Sequence, residues 1–337
     1  MNSIIKKILF FIYLLKPIYL SGATRTTEFP LLDSLFPNNT LDEAWERYPL
    51  FVSNLKHDKA NTANEGSCTM PLKDAGNETG LHFAASAKYQ SFEKIININD
   101  IDTVMQHVDT NMIHGQNKDY SLVKRITRDG ENWNGLLNFE KFKLEEIQSW
   151  FNSGGFTLVI NNMQKRWKPI KRIASQIHSE VLSKSVSCNL YMTPPKMYGF
   201  EEHFDAMDVI VMQVSGKKMW TVANHSLKYL SAPDMKRKPT LLEVYDYMSP
   251  GNHTSVLLTP GDILYIPRGF IHNATTDLVN NESDEEISIH LTFGIEHGKC
   301  FYFIFKSGYN SLKFSIFDRL PNNGRISNSL FTVFVCE

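Results

Sequence analysis

The hydrophobic pattern is clearest in the second half of the chain. Met207 to Val214 reads Met-Asp-Val-Ile-Val-Met-Gln-Val, apolar on both sides of a strand's two-residue alternation. Such a run predicts a strand buried on both faces. Ser215-Gly216-Lys217 then turns the chain, and Lys218 to Val222 returns as the next strand. A second segment has the same grammar: a Gly261-Asp262 turn, the run Ile263 to Ile266, then Pro267-Arg268-Gly269 and His272. Upstream, Thr40-Leu-Asp-Glu43 has the form of a capping box and predicts a helix from Leu41 to Tyr48. A short helix is predicted over Asn99–Gln106, and a strand over Tyr120–Thr127 closed by the turn Arg128-Asp129-Gly130. A helix over Leu144–Phe151 is ended by Gly154-Gly155, and Phe156–Ile160 reads as a strand. Residues 57–80 read as a polar loop, and 231–258 as a polar insertion.

Ahead of the buried strand lies Gly199-Phe-Glu-Glu-His-Phe-Asp205, which supplies His203 and Asp205 one residue apart. The chain has 11 histidines, so an H-x-D pair alone arises readily by chance. The hairpin frames around it and around His272 are what make the three residues informative. Two imidazoles and a carboxylate are the ligand set of a facial triad, which holds Fe(II) on one face and leaves the opposite positions open. The competing reading of each histidine is a satisfied core residue.

Composition adds limits. At 337 residues, 42% hydrophobic and 21% charged, the chain can bury a sizeable core. A net charge of −1 gives no basis for direct nucleic-acid binding or for an anionic membrane surface. The cations of residues 165–172 read as a solvated helix face, and Lys236-Arg237-Lys238-Pro239 is a short basic run. None of Cys68, Cys188, Cys300 and Cys336 is spaced as a zinc site, and the even count permits disulfides. Residues 1–23 read as a secretory signal peptide: Lys6 and Lys7, the apolar run Ile8–Leu15, then Ser21-Gly22-Ala23. That run is too short to span a bilayer, so no transmembrane anchor is expected. Six N-x-S/T sequons begin at Asn38, Asn77, Asn224, Asn252, Asn273 and Asn281.

Several stretches together resemble one family. Asn189-Leu-Tyr-Met-Thr-Pro-Pro195, Gly199 to Asp205, Asp208 to Trp220, Gly261 to His272 and Ser288-Ile-His-Leu-Thr-Phe-Gly294 are similar to JmjC-type cupin oxygenases, closest to the ribosomal oxygenases. That group comprises histidyl and arginyl hydroxylases and lysine demethylases. Ala44 to Leu50 is similar to the family's entry motif, and the resemblance covers roughly residues 35–297. It implies an α+β fold, a double-stranded β-helix (jelly roll, cupin/JmjC) with flanking helices. The expected organisation is a signal peptide over 1–23, a helix/strand region over 24–153 packing on the barrel, the barrel over 154–297, and a tail over 298–337 without the family's winged-helix domain. The sequence leaves the oligomeric state open.

The implied chemistry uses Fe(II), 2-oxoglutarate as cosubstrate and dioxygen, with a protein or peptide as substrate. His203, Asp205 and His272 are the expected catalytic metal ligands. The far carboxylate of 2-oxoglutarate would be buried and needs a cationic partner. Lys218 shares a strand face with Trp220 and Val222, and both this periodicity and the resemblance point to it. Asn189, Tyr191 and Thr193 share a face of the preceding strand, and the resemblance puts Asn189 and Tyr191 in the cosubstrate pocket. Thr292 is a weaker candidate, and His290 reads as a core or supporting histidine rather than the third ligand. The expected reaction is side-chain hydroxylation of the histidyl or arginyl type. The alternatives are histone N-methyl-lysine demethylation and a catalytically silent cupin binding module. The leader predicts the secretory pathway, whereas the resemblance implies the nucleus or nucleolus.

Overall fold

A computed structural model describes residues 31–37, 40–54, 80–86, 90–105, 119–128, 131–136, 149, 155–181, 183–227, 237–277, 286–297, 300–306, 313–317 and 330–336. Its strands are β1 (Leu50–Ser53), β2 (His82–Ala85), β3 (Tyr120–Arg128), β4 (Glu131–Leu136), β5 (Thr157–Ile160), β6 (Ser185–Thr193), β7 (Asp208–Ser215), β8 (Lys218–Ser226), β9 (His253–Leu258), β10 (Ile263–Ile266), β11 (Phe270–Thr275), β12 (Ser288–Glu296), β13 (Cys300–Lys306), β14 (Lys313–Phe317) and β15 (Leu330–Cys336). Its helices are α1 (Leu32–Leu35), α2 (Thr40–Ala44), α3 (Ile98–Met105), α4 (Met163–Arg166), α5 (Lys168–Val181) and α6 (Leu241–Met248). The expected signal peptide, the loop at 57–79 and most of the expected helix over 144–151 lie outside the described residues.

Phe29–Glu296 form one compact unit. In it a nine-stranded sheet runs β2-β1-β10-β7-β12-β6-β5-β3-β4, and a second sheet runs β11-β8-β9. The two enclose an apolar interior built from both: Val209 and Val211 of β7, Leu264 and Ile266 of β10, Trp220 and Val222 of β8, and Val256 and Leu258 of β9. The nine-stranded sheet turns its other face to the helices. There Leu190, Ile210, Met212, Leu291 and Phe293 pack with Met163, Ile170 and Ile177 of α4 and α5. The double-stranded β-helix is thus apolar on both faces of its central strands. β7 is buried from Asp208 to Val214, as its unbroken hydrophobic run requires. β13, β14 and β15 form a separate three-stranded sheet in a second unit, with Cys300 opposite Cys336 in register.

Three local expectations differ from the structure. Thr40 is a helical residue, its hydroxyl donating to the Pro37 carbonyl at 2.8 Å, and α2 stops at Ala44. Glu46 adopts φ +56°, which ends right-handed helix, and its amide donates to the Tyr265 hydroxyl at 3.0 Å. A capping box does form at α6, where Thr240 and Glu243 bond reciprocally. The stretch 231–258 contains α6 and β9, and β9 pairs with β8 from Lys218 to Ala223, so it supplies a barrel strand. The N-terminal region likewise enters the sheet directly: β1 pairs with β10 and β3 with β5.

The Gly261-Asp262 turn shows why its residue types are needed. Gly261 has φ +95°, and a Cβ there would collide with the Asn54 side chain and the Gln90 carbonyl. Asp262 accepts from the Asn54 amide (2.7 Å) and from the Thr259 amide and hydroxyl (2.7 Å each). These bonds tie β1 to the start of β10 and hold the strand that leads to the Pro267-Arg268-Gly269 turn.

Candidate active site

His203 and Asp205 lie between β6 and β7, outside any strand, and backbone bonds fix them. Gly199 N donates to Ala274 O (3.0 Å), His203 N to His272 O (3.1 Å), His272 N to His203 O (2.8 Å) and Gly269 N to Asp205 O (3.0 Å). Residues 199–205 therefore run antiparallel against β11 and its lead-in. Gly199 is required by this approach, because a Cβ there would sit 2.7 Å from Ala274 O. β11 is held in turn by β8, with His272 opposite Val222 and Ala274 opposite Trp220.

The three expected ligands converge. One ligand atom from each of His203, Asp205 and His272 lies within 4.8 Å of the others, and His272 Nε2 is 3.7 Å from Asp205 Oδ2. In both histidines Nδ1 faces the carbonyl of the residue two positions earlier: Glu201 O for His203 (2.8 Å) and Phe270 O for His272 (2.9 Å). A carbonyl only accepts, so each Nδ1 carries a proton, and in the neutral imidazole Nε2 is then the atom with the lone pair. Burial, with the neighbouring His203 imidazole second, holds His272 at about 4. It is therefore neutral at ordinary pH, as ligation requires. The donor set fits a divalent metal with open positions.

Around the triad, alternation along the strands builds a polar wall on an otherwise apolar interior. Tyr191 of β6 lies opposite His290 of β12, and Asn189 opposite Thr292. The Tyr191 and His290 rings stack at 4.7 Å between centroids. Asn189 Oδ1 accepts from Asn162 N at 3.1 Å, and its side chain bonds the Tyr191 hydroxyl. Burial, with the Asp205 carboxylate next, pushes Tyr191 up to about 12, so it stays protonated. His290 is held well below its ordinary value by burial and then by Lys218.

Lys218 faces this interior from β8 and is 2% exposed. Among the described residues its Nζ has one bonded partner, the neutral hydroxyl of Thr193 at 2.8 Å. Burial brings its pKa from 10.5 down to about 7. A buried ammonium without a carboxylate fits an anionic ligand. Thr193 is also 3.1 Å from Thr157 Oγ1 of β5. The alternation of Asn189, Tyr191 and Thr193 marked Thr193 in the sequence; Thr157 sits in an apolar strand with no comparable signal.

The basic run before α6 folds over the H-x-D turn. Lys238 pairs with Glu201, and the Arg237 guanidinium lies 5.3 Å from the centre of the Phe204 ring. Arg237 also forms two bonds of 2.7 Å to Glu243. Farther away, Arg166 of the basic stretch 165–172 pairs with Asp119.

Residues 161–298 match the family described as the JmjC domain. The chain carries a JmjC domain. The match contains the whole triad together with Lys218, Asn189, Tyr191 and Thr292. The bifunctional lysine-specific demethylase and histidyl-hydroxylase NO66 of Drosophila persimilis is 36% identical over 111 residues, 32% of this chain and 14% of that protein. Ribosomal oxygenase 1 of Rattus norvegicus is 34% identical over 118 residues, 34% of this chain and 17% of that protein. The matched JmjC region is thus a small share of either relative's length. Among solved structures, the Escherichia coli ribosomal oxygenase YcfD in complex with cobalt and 2-oxoglutarate has a TM-score of 0.36 and 17% identity, over 60% of this chain and 44% of that one.

Proposed function

We propose that this protein is an Fe(II)- and 2-oxoglutarate-dependent oxygenase that hydroxylates a protein side chain, of the histidyl or arginyl type. Lys218 carries the reading: a buried ammonium, bonded to a hydroxyl, in the same interior as a three-ligand cluster. His203 and His272 would hold Fe(II) through Nε2 and Asp205 through a carboxylate oxygen. Iron, 2-oxoglutarate and dioxygen together supply the oxidant for a C–H bond, with succinate and CO2 as co-products. Lys218 would bind the far carboxylate of the 2-oxo acid. Asn189, Tyr191 and Thr292 would line the path between that end and the triad. Val209, Val211 and Val222 exclude water from the inner side. The relatives named for histidyl hydroxylation and lysine demethylation make a protein or peptide the expected substrate class.

The compartment belongs to the same proposal. The leader-like segment over 1–23 supports entry into the secretory pathway. A chain sent there would meet proteins other than ribosomal ones or histones.

The test is incubation of the purified protein with Fe(II), 2-oxoglutarate and candidate peptides, read by succinate release and peptide mass. Oxygen gain marks hydroxylation; loss of a methyl group marks demethylation. Asp205→Ala is expected to abolish turnover. Full succinate release by that variant would overturn the assignment, and a wild-type protein that binds without turnover would identify a silent cupin.

A further inference from the structure

We propose that Trp220 and His290 complete, with Lys218, the seat for the far carboxylate of the cosubstrate, and so set which 2-oxo acid the site accepts. The inference rests on the function proposed above and adds two residues to it.

Two buried nitrogens in this interior have no hydrogen-bond partner among the described residues: Trp220 Nε1 and His290 Nδ1. Trp220 is 6% exposed and His290 2%, so bulk water does not serve them. Buried polar groups are almost always paired, and unpaired ones mark a place that a ligand or an ordered water completes. These two belong to one place. Their rings meet edge to face, with centroids 5.4 Å apart and planes at 81°. Trp220 is two residues from Lys218 on the inward face of β8, and both are buried there. His290 feels the Lys218 charge from the opposite sheet.

The donors suit a carboxylate. An ammonium carries three protons, and Lys218 gives one to Thr193. The indole N–H is a donor only. A neutral imidazole has one N–H, and the Nδ1–H tautomer would present it where no protein acceptor stands. A carboxylate has about four lone-pair directions and can accept from all three groups.

The position along β8 suits a dicarboxylate. Val222 lies opposite His272, while Lys218 is four residues farther along the strand. An acid that chelates at the triad reaches Lys218 only if it carries a second, distant carboxylate. Trp220 lies between these points along β8, with its ring centroid 6.0 Å from that of His272.

The experiment is calorimetric titration of the full chain, loaded with Mn(II), with 2-oxoglutarate and separately with pyruvate. Pyruvate has the same chelating end and lacks the far carboxylate. Trp220→Phe and His290→Leu are each expected to weaken 2-oxoglutarate binding about ten-fold or more, the cost of one bond to a charged group. Both are expected to leave pyruvate and Mn(II) binding unchanged. His290→Asn, which keeps a polar nitrogen near the Nδ1 position, is expected to recover most of the loss. Equal losses for the two acids would mean a packing role and would overturn the inference. So would unchanged 2-oxoglutarate binding in both variants, with the proposed function intact. A wild-type protein that does not take up 2-oxoglutarate would overturn the proposed function itself, and this inference with it.

Discussion

His203 and His272 exchange both of their backbone hydrogen bonds, His203 N to His272 O at 3.1 Å and His272 N to His203 O at 2.8 Å. The two imidazoles are thus carried by a directly opposed cross-strand pair, although His203 belongs to no extended strand. Their ring centroids are 4.4 Å apart as a consequence. The spacing of the two imidazoles is set by the main chain, which is how a rigid scaffold preorganises a site.

This pairing depends on Gly199. Gly199→Ala would press a methyl group against Ala274 O at 2.7 Å and pry residues 199–205 from β11. The expected result is a destabilisation of about 1–3 kcal/mol, as for overpacking, together with weaker Mn(II) binding. Thermal unfolding and metal titration would measure the two effects. Unchanged metal affinity would show that the turn is held by other contacts.

Lys218 and Lys217 should behave in opposite ways. Lys218→Ala leaves the cosubstrate carboxylate buried and unpaired, at a cost of roughly 3–5 kcal/mol. The KM for 2-oxoglutarate should rise about two orders of magnitude or more. Lys217, half-buried in the turn before β8, should be near neutral on substitution by Ala. Steady-state kinetics of the two variants, ranked in reverse, would contradict the orientation of β8 toward the site.

The depressed Lys218 pKa has a signed pH consequence. Folding lowers it from 10.5 to about 7 by burial. Between these values the unfolded chain binds more protons than the native one, so this group makes the ligand-free protein more stable as pH rises through that window. Below about 7 its full burial cost is present. The cosubstrate carboxylate needs the charged form, so 2-oxoglutarate affinity should fall as pH climbs above about 7. Lys218→Arg keeps its charge throughout and should lose that dependence. Calorimetric titrations across the pH range, done on both proteins, provide the check.

Glycosylation separates two sequons if the chain enters the secretory pathway. Asn252 is exposed at the turn between α6 and β9. Asn273 lies on β11 beside His272, and its Nδ2 donates to Glu202 at 2.8 Å. Peptide mapping after glycosidase treatment is expected to find a glycan at Asn77 or Asn252 and none at Asn273. A glycan at Asn273 would mean attachment before β11 docks; a protein retaining Met1 and bearing no glycan would refute the secretory assignment.

By itself, the sequence determined the strands and the ligand types. Unbroken apolar runs marked β7 and β10 because both faces of these strands are buried, and the two-residue period put Lys218, Trp220 and Val222 on one face because side chains alternate along any strand. The H-x-D pair and His272 were legible because each sits in a turn of distinctive composition next to such a strand. Other features were decided only by the tertiary structure. Thr193 as the partner of Lys218, and Thr157 behind it, come from three different strands that no local period relates. The apparent capping box at Thr40 gave way to the bond between Glu46 N and the Tyr265 hydroxyl, a contact across the fold that ends the helix early. The stretch 231–258 looked polar and irregular, yet β9 within it finds its ladder in β8, because an edge strand needs only one apolar side. Local chemistry specifies what a side chain offers; which groups meet inside the barrel depends on the pairing of distant strands.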